Sequence, residues 1–461
     1  MGATEDLARF ACEMKFEHVP GKALDWAKDA ILDCIGTALA GTREEAGKII
    51  SAYVQEAAGR PEAGVFAADV KIPAANAALA NGTMAHALDY DDYVLPNWTG
   101  HPTAPLLPAI LALGQQQGIS GEEALLAYIV GFEVGGRIGA GLGRGHYELG
   151  WHATATLGTL GATAACCRIL KLAVAETRAA MGIASSEAGG VRQNFGTMTK
   201  PFHAGLASRN GLVAALLAGK GFTADPGVIE GPFGFGRVFT GGGNPDWVRM
   251  GKDLGKSFLI VENGVSIKPY PCCAEGHRCL DAILFLIRKH DIKADQVESV
   301  ECRTSDMVPQ VMIRHRPKTA AEAKFSMEYC MAVALLDRSA GLPQFASERV
   351  GESKVQDLLT RVHYVHPPQA SGYLNMERTP EQVTIKMRNG AVYSHEVLES
   401  KGKPGNPLSE AELIAKFKDC ASRALSPERI KRSLEMLRGL ENIRDINDLM
   451  DVLCAQGSVR T

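Results

Sequence analysis

Most of the motifs that announce nucleotide or cofactor chemistry are missing from this 461-residue sequence. No Gly-x-Gly-x-x-Gly follows a strand-like run, and neither a Gly-x4-Gly-Lys-Ser/Thr loop nor a Gly-x-Ser-x-Gly elbow occurs. Dinucleotide binding, phosphate-loop chemistry and serine hydrolysis each depend on the backbone shapes those glycines permit, so all three are disfavoured. GPFGFG (231–236) is glycine-rich but wrongly spaced and reads as a loop. The eleven cysteines include no Cys-x-x-Cys, and the adjacent pairs Cys166-Cys167 and Cys272-Cys273 suit neither a zinc site nor an iron–sulfur cluster. The expectation is reduced thiols in a cytoplasmic protein, with no metal and no other cofactor. No uninterrupted apolar run reaches about 18 residues, so no membrane span is expected. The N-terminus has mixed charge and no long apolar stretch, unlike a secretory signal. A net charge of −3 without any polybasic stretch argues against nucleic-acid and membrane-surface partners.

What is present is first of all helix. Ala23 to Ala40 carries apolar residues at helical spacing, and Ser120 with Glu123 forms a capping-box start for a long apolar run. His152 to Leu172 and Ala207 to Leu217 continue the pattern, rich in Ala and Gly. The texture changes near residue 265. VESVECRTS (297–305) and EQVTIKMRNGAVYSHEVLES (381–400) are strand-like, the second with Asn389-Gly390 as a hairpin signal. Helices are expected between them near Lys324–Asp337 and Ser353–Val362. After the breakers Gly402 to Pro407, Ser409 with Glu412 starts a further helical stretch. The fold expected is therefore mainly α: an all-helical domain built from both chain ends (1–265 and 404–461) plus a smaller α+β lid domain (266–403).

Four segments put titratable residues where packing or a turn is expected. They are HALDYDDY (86–93) leading to Gly100-His101-Pro102, Gly150-Trp151-His152, MTKPFHAG (198–205) and SIKPYPCCAEGH (266–277). His101 precedes a proline, which keeps it out of helix and suits an imidazole aimed into a cleft. His152 opens an apolar helix, where the helix dipole favours a neutral ring able to accept a proton. Lys200 and Lys268 each precede a proline on what reads as a rigid turn, suited to binding a carboxylate. Asp89, Asp91 and Asp92 could orient a base or bind a metal, although such a run is more often a solvated turn and lacks the spacing of a Ca²⁺ loop. Tyr329 falls on a helix and reads by default as a core edge. Two histidines and two lysines of this kind suit a site that binds carboxylates and moves protons.

The order of these segments resembles the MmgE/PrpD family. The resemblance runs from HALDYDD and His-Pro through Gly-Trp-His152, GTMTKPFHAG with Arg209-Asn210-Gly211, IKPYPCC with His277 and KFSMEY to Gly402-x-Pro404-x-Asn406-Pro407. It implies a helical domain from both chain ends with an α+β lid, a homodimer and no metal. It carries catalytic roles onto Asp89, His101, His152 and Tyr329, and substrate-binding roles onto Lys200 and Lys268, with His277 and Cys273 as further substrate contacts. Cys273 and Tyr93 depart from the decarboxylating members, which have histidine and threonine there. The activity implied is a lyase, a dehydratase of a small di- or tricarboxylate such as 2-methylcitrate, acting by proton abstraction alpha to a carboxylate. Epimerisation of a dicarboxylate and decarboxylation of a cis-aconitate type are the alternatives, and a non-catalytic helical scaffold is the rival from another class. The motifs make chemical sense if His101, His152, Lys200 and Lys268 line one cavity.

Overall fold

A computed structural model describes residues 2–57, 59–305, 307–365 and 379–454. The chain is mainly helical with small sheets and divides into two compact units. The first comprises Met1–Gln193, Thr199–Ile267 and Ser409–Thr461; the second comprises Asn194–Met198 and Lys268–Leu408.

In the first unit the expected helices form where the pattern put them, at Gly21–Gly41, Gly121–Leu142, Ala153–Ile169 and Thr199–Ala218. The Ser120 capping box is complete. Glu123 N–H donates to Ser120 Oγ at 3.1 Å, and Ser120 N–H donates to Glu123 Oε2 at 3.0 Å. The unit is not all-helical, however. Ala63–Gly64 pairs antiparallel with Lys71–Ile72, a ribbon two residues long on each side and too short to leave an alternation in the sequence. Lys200 also departs from expectation. It lies inside the first turn of the helix Thr199–Ala218, because Pro201 is tolerated where backbone N–H groups have no intrahelical acceptor. GPFGFG is a loop only at its start, since a short helix, Phe235–Phe239, begins within it.

The small residues explain how closely these helices pack. A Cβ on Gly205 would lie 2.3 Å from Leu79 O and 2.3 Å from Thr83 Oγ1, and one on Gly131 would lie 2.8 Å from Gly161 O. The Gly205 contact joins the helix Ala74–His86 to the helix Thr199–Ala218. Gly205→Ala should therefore destabilise the protein by about 1–3 kcal/mol, as overpacking does, and denaturant unfolding checks this. Helix Gly121–Leu142 is long and apolar enough to cross a membrane, but all of its residues except Glu122 and Glu123 in the first turn are buried within this unit. Its buried charges Arg137 and Glu133 lie in ion-pair range, Nε 3.4 Å from Oε2, and Arg137 Nη1 donates to Lys252 O at 2.8 Å.

The C-terminal helices Glu410–Ala421, Pro427–Arg438 and Ile446–Cys454 pack in the first unit, against Gly21–Gly41 and Thr103–Gln117. Ion pairs fix them there, Arg438 to Asp29 at 2.7 Å, Lys28 to Glu441 at 3.0 Å and, deeply buried, Lys416 to Asp33 at 2.5 Å.

The second unit holds a four-stranded sheet in the order Val362–Val365, Val297–Arg303, Glu381–Met387, Val392–Val397. The first pair is parallel and the others antiparallel. At Gly390 the backbone takes φ +87°, and Asn389 Oδ1 accepts from Ala391 N at 3.0 Å, so the hairpin turns where the Asn-Gly pair sits. Helix Ser353–Leu359 ends earlier than expected, and Val362 begins a strand instead. The β-branched residues of VHYV fit the pleated edge better than a helix end. Ser326 caps Met327–Asp337 by accepting from Tyr329 N at 3.2 Å.

Candidate active site

The aspartate run does not form a solvated turn. Helix Ala74–His86 ends at His86, and Asp89 then takes a left-handed backbone, φ +50°, which aspartate tolerates better than most residues. The chain turns inward there, and Asp89, Asp91 and Asp92 are all buried. Tyr90 between them is pinned from the C-terminal segment: Lys416 Nζ donates to Tyr90 O at 2.8 Å and lies 3.8 Å from the centre of its ring. The segment that follows is anchored by Trp98, fully buried, whose indole N–H donates to Phe132 O at 3.1 Å. His101 is held at its own backbone, its N–H donating to Thr154 Oγ1 at 3.0 Å. His152 is the N-cap of Ala153–Ile169, and its N–H donates to Gly190 O at 3.0 Å. Lys200 and His203, three apart in one helix, present neighbouring side chains.

These elements bring Asp89, Asp91, His101, His152 and Lys200 together with two residues the sequence reading did not single out, His86 and His203. Lys200 Nζ donates to Asp89 Oδ1 at 2.5 Å, and His101 Nε2 lies 3.6 Å from the same oxygen. Asp91 Oδ1 is 2.8 Å from His86 Nδ1, and Asp91 Oδ2 is 3.1 Å from His101 Nδ1. The His86 ring lies 4.4 Å from that of His101 and 5.9 Å from that of His152, centre to centre. His152 Nδ1 and His203 Nδ1 share a hydrogen bond of 3.1 Å, one donating to the other. The result is a buried ion pair bordered by four imidazoles.

Burial decides the charge states. It holds His152 well below the usual histidine range, helped by the Lys200 ammonium and by the neighbouring histidines. His86 and His203 are brought down to about 4, chiefly by burial. Burial alone would raise Asp91, but the two imidazoles facing it more than offset this, and it stays ionised. Asp92 goes the other way, raised well above the usual carboxyl range by burial and by the nearby Asp91 and Asp33. Its Oδ2 accepts from Thr103 Oγ1 at 2.8 Å. The site therefore joins a lysine cation to several imidazoles that are neutral and able to accept protons.

The remaining expected site residues, Lys268, Cys273, His277 and Tyr329, belong to the second unit. Lys268 is its first residue after Ile267 and is buried ahead of Pro269. His277 begins the helix His277–His290 and bonds Cys272 O through Nε2 at 3.2 Å; since a carbonyl only accepts, Nε2 carries the proton. Cys273 is buried, its N–H donating to Lys324 O at 2.9 Å. The Tyr329 hydroxyl donates to Gln344 O at 2.6 Å, within the core of the unit, and its ring packs on Phe345.

One ligand atom from each of His86, Asp89, Asp91 and His101 lies within 4.8 Å of the others, a donor set able to hold a metal ion. Lys200 already supplies positive charge to Asp89 there, and Asp91 accepts hydrogen bonds from both imidazoles.

Residues 5–248 match the family model described as the MmgE/PrpD N-terminal domain, and residues 270–442 match that of the MmgE/PrpD C-terminal domain. The chain is 28% identical to the cis-aconitate decarboxylase of Mus musculus, with 98% of this chain and 93% of that protein covered. It is 29% identical to the Homo sapiens cis-aconitate decarboxylase, at 98% and 94% coverage. A cis-aconitate decarboxylase of Aspergillus terreus is 28% identical, at 98% and 96% coverage.

Proposed function

The chain belongs to the MmgE/PrpD family, and from that premise we propose that it is a lyase of a small tricarboxylate, with loss of CO₂ from a cis-aconitate-like acid as its leading reaction. The observation that carries this reading is the buried Lys200–Asp89 pair with imidazoles on its border. When CO₂ leaves a carbon next to a C=C bond that is conjugated to a second carboxylate, the freed electron pair moves through the double bond and rests on that carboxylate as an enediolate. A fixed ammonium group stabilises this charge, and such preorganised electrostatics are usually the largest catalytic term. An imidazole that gained a proton as the polyanion entered then returns it to carbon. Three curated relatives named as cis-aconitate decarboxylases support this order of preference.

Dehydration of a hydroxy-tricarboxylate is the second reading, favoured by the presence of two separate imidazoles. Neutral His152 would take the proton alpha to a carboxylate, and His101 would protonate the leaving hydroxyl. Incubation with a panel of tricarboxylates, read by mass spectrometry, separates the two by loss of 44 or of 18 mass units (arithmetic of CO₂ and H₂O). Finding neither loss with any of them would overturn the proposal.

Lys268 is carried in this reading as a second carboxylate partner. Lys268→Ala is expected to raise KM by about tenfold or more, the scale of one charge-assisted hydrogen bond, while the melting profile stays near that of wild type. Steady-state kinetics check the first point and calorimetry the second. Because Lys200 serves as the resident cation in the proposal, exhaustive dialysis against EDTA should leave turnover unchanged. Activity that falls with metal content and returns on adding a divalent ion would contradict this.

A further inference from the structure

Asp91 lies one residue from Tyr90 and two from Asp89, yet its own oxygens face neither. Oδ1 and Oδ2 lie 2.8 and 3.0 Å from His86 Nδ1, and Oδ2 lies 3.1 Å from His101 Nδ1. An ionised carboxylate only accepts hydrogen bonds, so the proton of each bond must sit on the histidine. His101 Nδ1 is also 2.9 Å from the backbone carbonyl of Asp92, a second group that only accepts. Both rings are therefore fixed with hydrogen on Nδ1, so that in the neutral form of either ring the lone pair lies on Nε2. His101 Nε2 faces Asp89 Oδ1, the oxygen that accepts the hydrogen bond from Lys200 Nζ. His86 Nε2 is fully buried and has no hydrogen-bond partner among the described residues. The ring that carries it stacks 5.9 Å from that of His152.

We infer that Asp91 is the positioning residue of the site: one carboxylate sets the tautomer of two imidazoles, making Nε2 the proton-transferring atom of both His101 and His86. The catalytic part of this inference rests on the lyase reading above; the tautomer part does not. The physical logic is that of any carboxylate-oriented histidine. The partner on one ring nitrogen decides which tautomer forms, and its charge raises the basicity of the other nitrogen. The two imidazoles do not depend on Asp91 equally. His101 retains the Asp92 carbonyl if Asp91 is altered, whereas the Asp91 carboxylate is the acceptor that fixes His86.

The test is ¹⁵N NMR of histidine-labelled full-length protein at neutral pH, with the two rings assigned from His86→Gln and His101→Gln variants. Both rings should show a protonated Nδ1 and an unprotonated Nε2. In Asp91→Asn, an amide of nearly the same shape, one oxygen can still accept but the NH₂ group donates. His86 should then shift towards the Nε2-protonated form while His101 keeps its pattern. With a turned-over tricarboxylate, Asp91→Asn should lower kcat by about 10²-fold, with KM within about threefold, the split expected for a mis-set proton-transfer group. Asp91→Glu, which restores a carboxylate, should recover part of both the Nδ1 signature and kcat. A wild-type spectrum with either ring protonated on Nε2 overturns the inference, even if Asp91→Asn fails to fold. So does an Asp91→Asn variant with unchanged tautomers and wild-type kcat. The spectra are recorded without substrate, so if no tricarboxylate reacts the lyase reading falls while the tautomer result still decides this one.

Discussion

Replacing Lys200 with methionine is expected to lower turnover by about 10²–10³-fold, the usual effect of removing one group that stabilises developing negative charge. The side chain is buried and bonded to Asp89 at 2.5 Å, so the substitution also strands a carboxylate away from water. Loss of one partner of a buried pair costs about 3–5 kcal/mol, and stability should fall with activity. The double variant Lys200→Met/Asp89→Asn separates the two effects. With both charges gone the desolvation cost disappears, and stability should return most of the way to wild type. Turnover should not return, because the cation placed beside the imidazoles to hold the enediolate is gone. Recovery of both by the double variant would make the pair structural.

The second large effect is expected at His152. His152→Gln keeps a hydrogen-bonding side chain near His203 but cannot exchange protons, and kcat should fall by about 10²–10⁴-fold. The pH behaviour follows from the direction of the shift. Burial and the nearby Lys200 lower the His152 pKa below 6.5, so the ring is neutral at pH 7 and becomes protonated in the free enzyme only on the acid side of that value. Any limb of kcat/KM due to His152 should therefore lie below pH 6.5, with the free neutral form lost as pH falls. A polyanion entering the site acts oppositely to Lys200 and raises the histidine pKa values. Binding at pH 7 should then take up protons, measurable by titration calorimetry in buffers of different ionisation enthalpy. The uptake should be smaller in His152→Gln. Equal uptake in the two proteins, with equal kcat, would remove His152 from the proton path.

The helices and the hairpin were legible because their signals are local: the Ser120–Glu123 box, the Ser409–Glu412 box and the Asn389-Gly390 turn each act within a few residues. The two-residue ribbon at Ala63–Gly64 and the strand Val362–Val365 were not, because a strand that short shows no usable period and is fixed by its neighbour. At the site, Asp89, His101, His152 and Lys200 could be found from their proline, helix-start and resemblance contexts. His86 sat within a quoted segment yet stayed hidden, and Asp91 was named only against the alternative of a solvated turn, since nothing in HALDYDDY tells an inward turn from a solvated one. What decides it is the left-handed backbone at Asp89 and the grip of Lys416 on Tyr90, from a residue more than three hundred positions away. His203 stands three residues after Lys200, a helical spacing that could have flagged it had Pro201 not suggested a turn.

The central claim is that this buried pair and its imidazoles serve lyase chemistry on a tricarboxylate. Its most direct test is to incubate the wild-type protein with cis-aconitate in D₂O and follow the products by NMR and mass spectrometry. The account predicts one CO₂ released per substrate consumed and one deuterium bound to carbon in the product, both abolished with Lys200→Met. Unchanged cis-aconitate, with no CO₂ released and no deuterium on carbon at protein concentrations comparable to substrate, would contradict it.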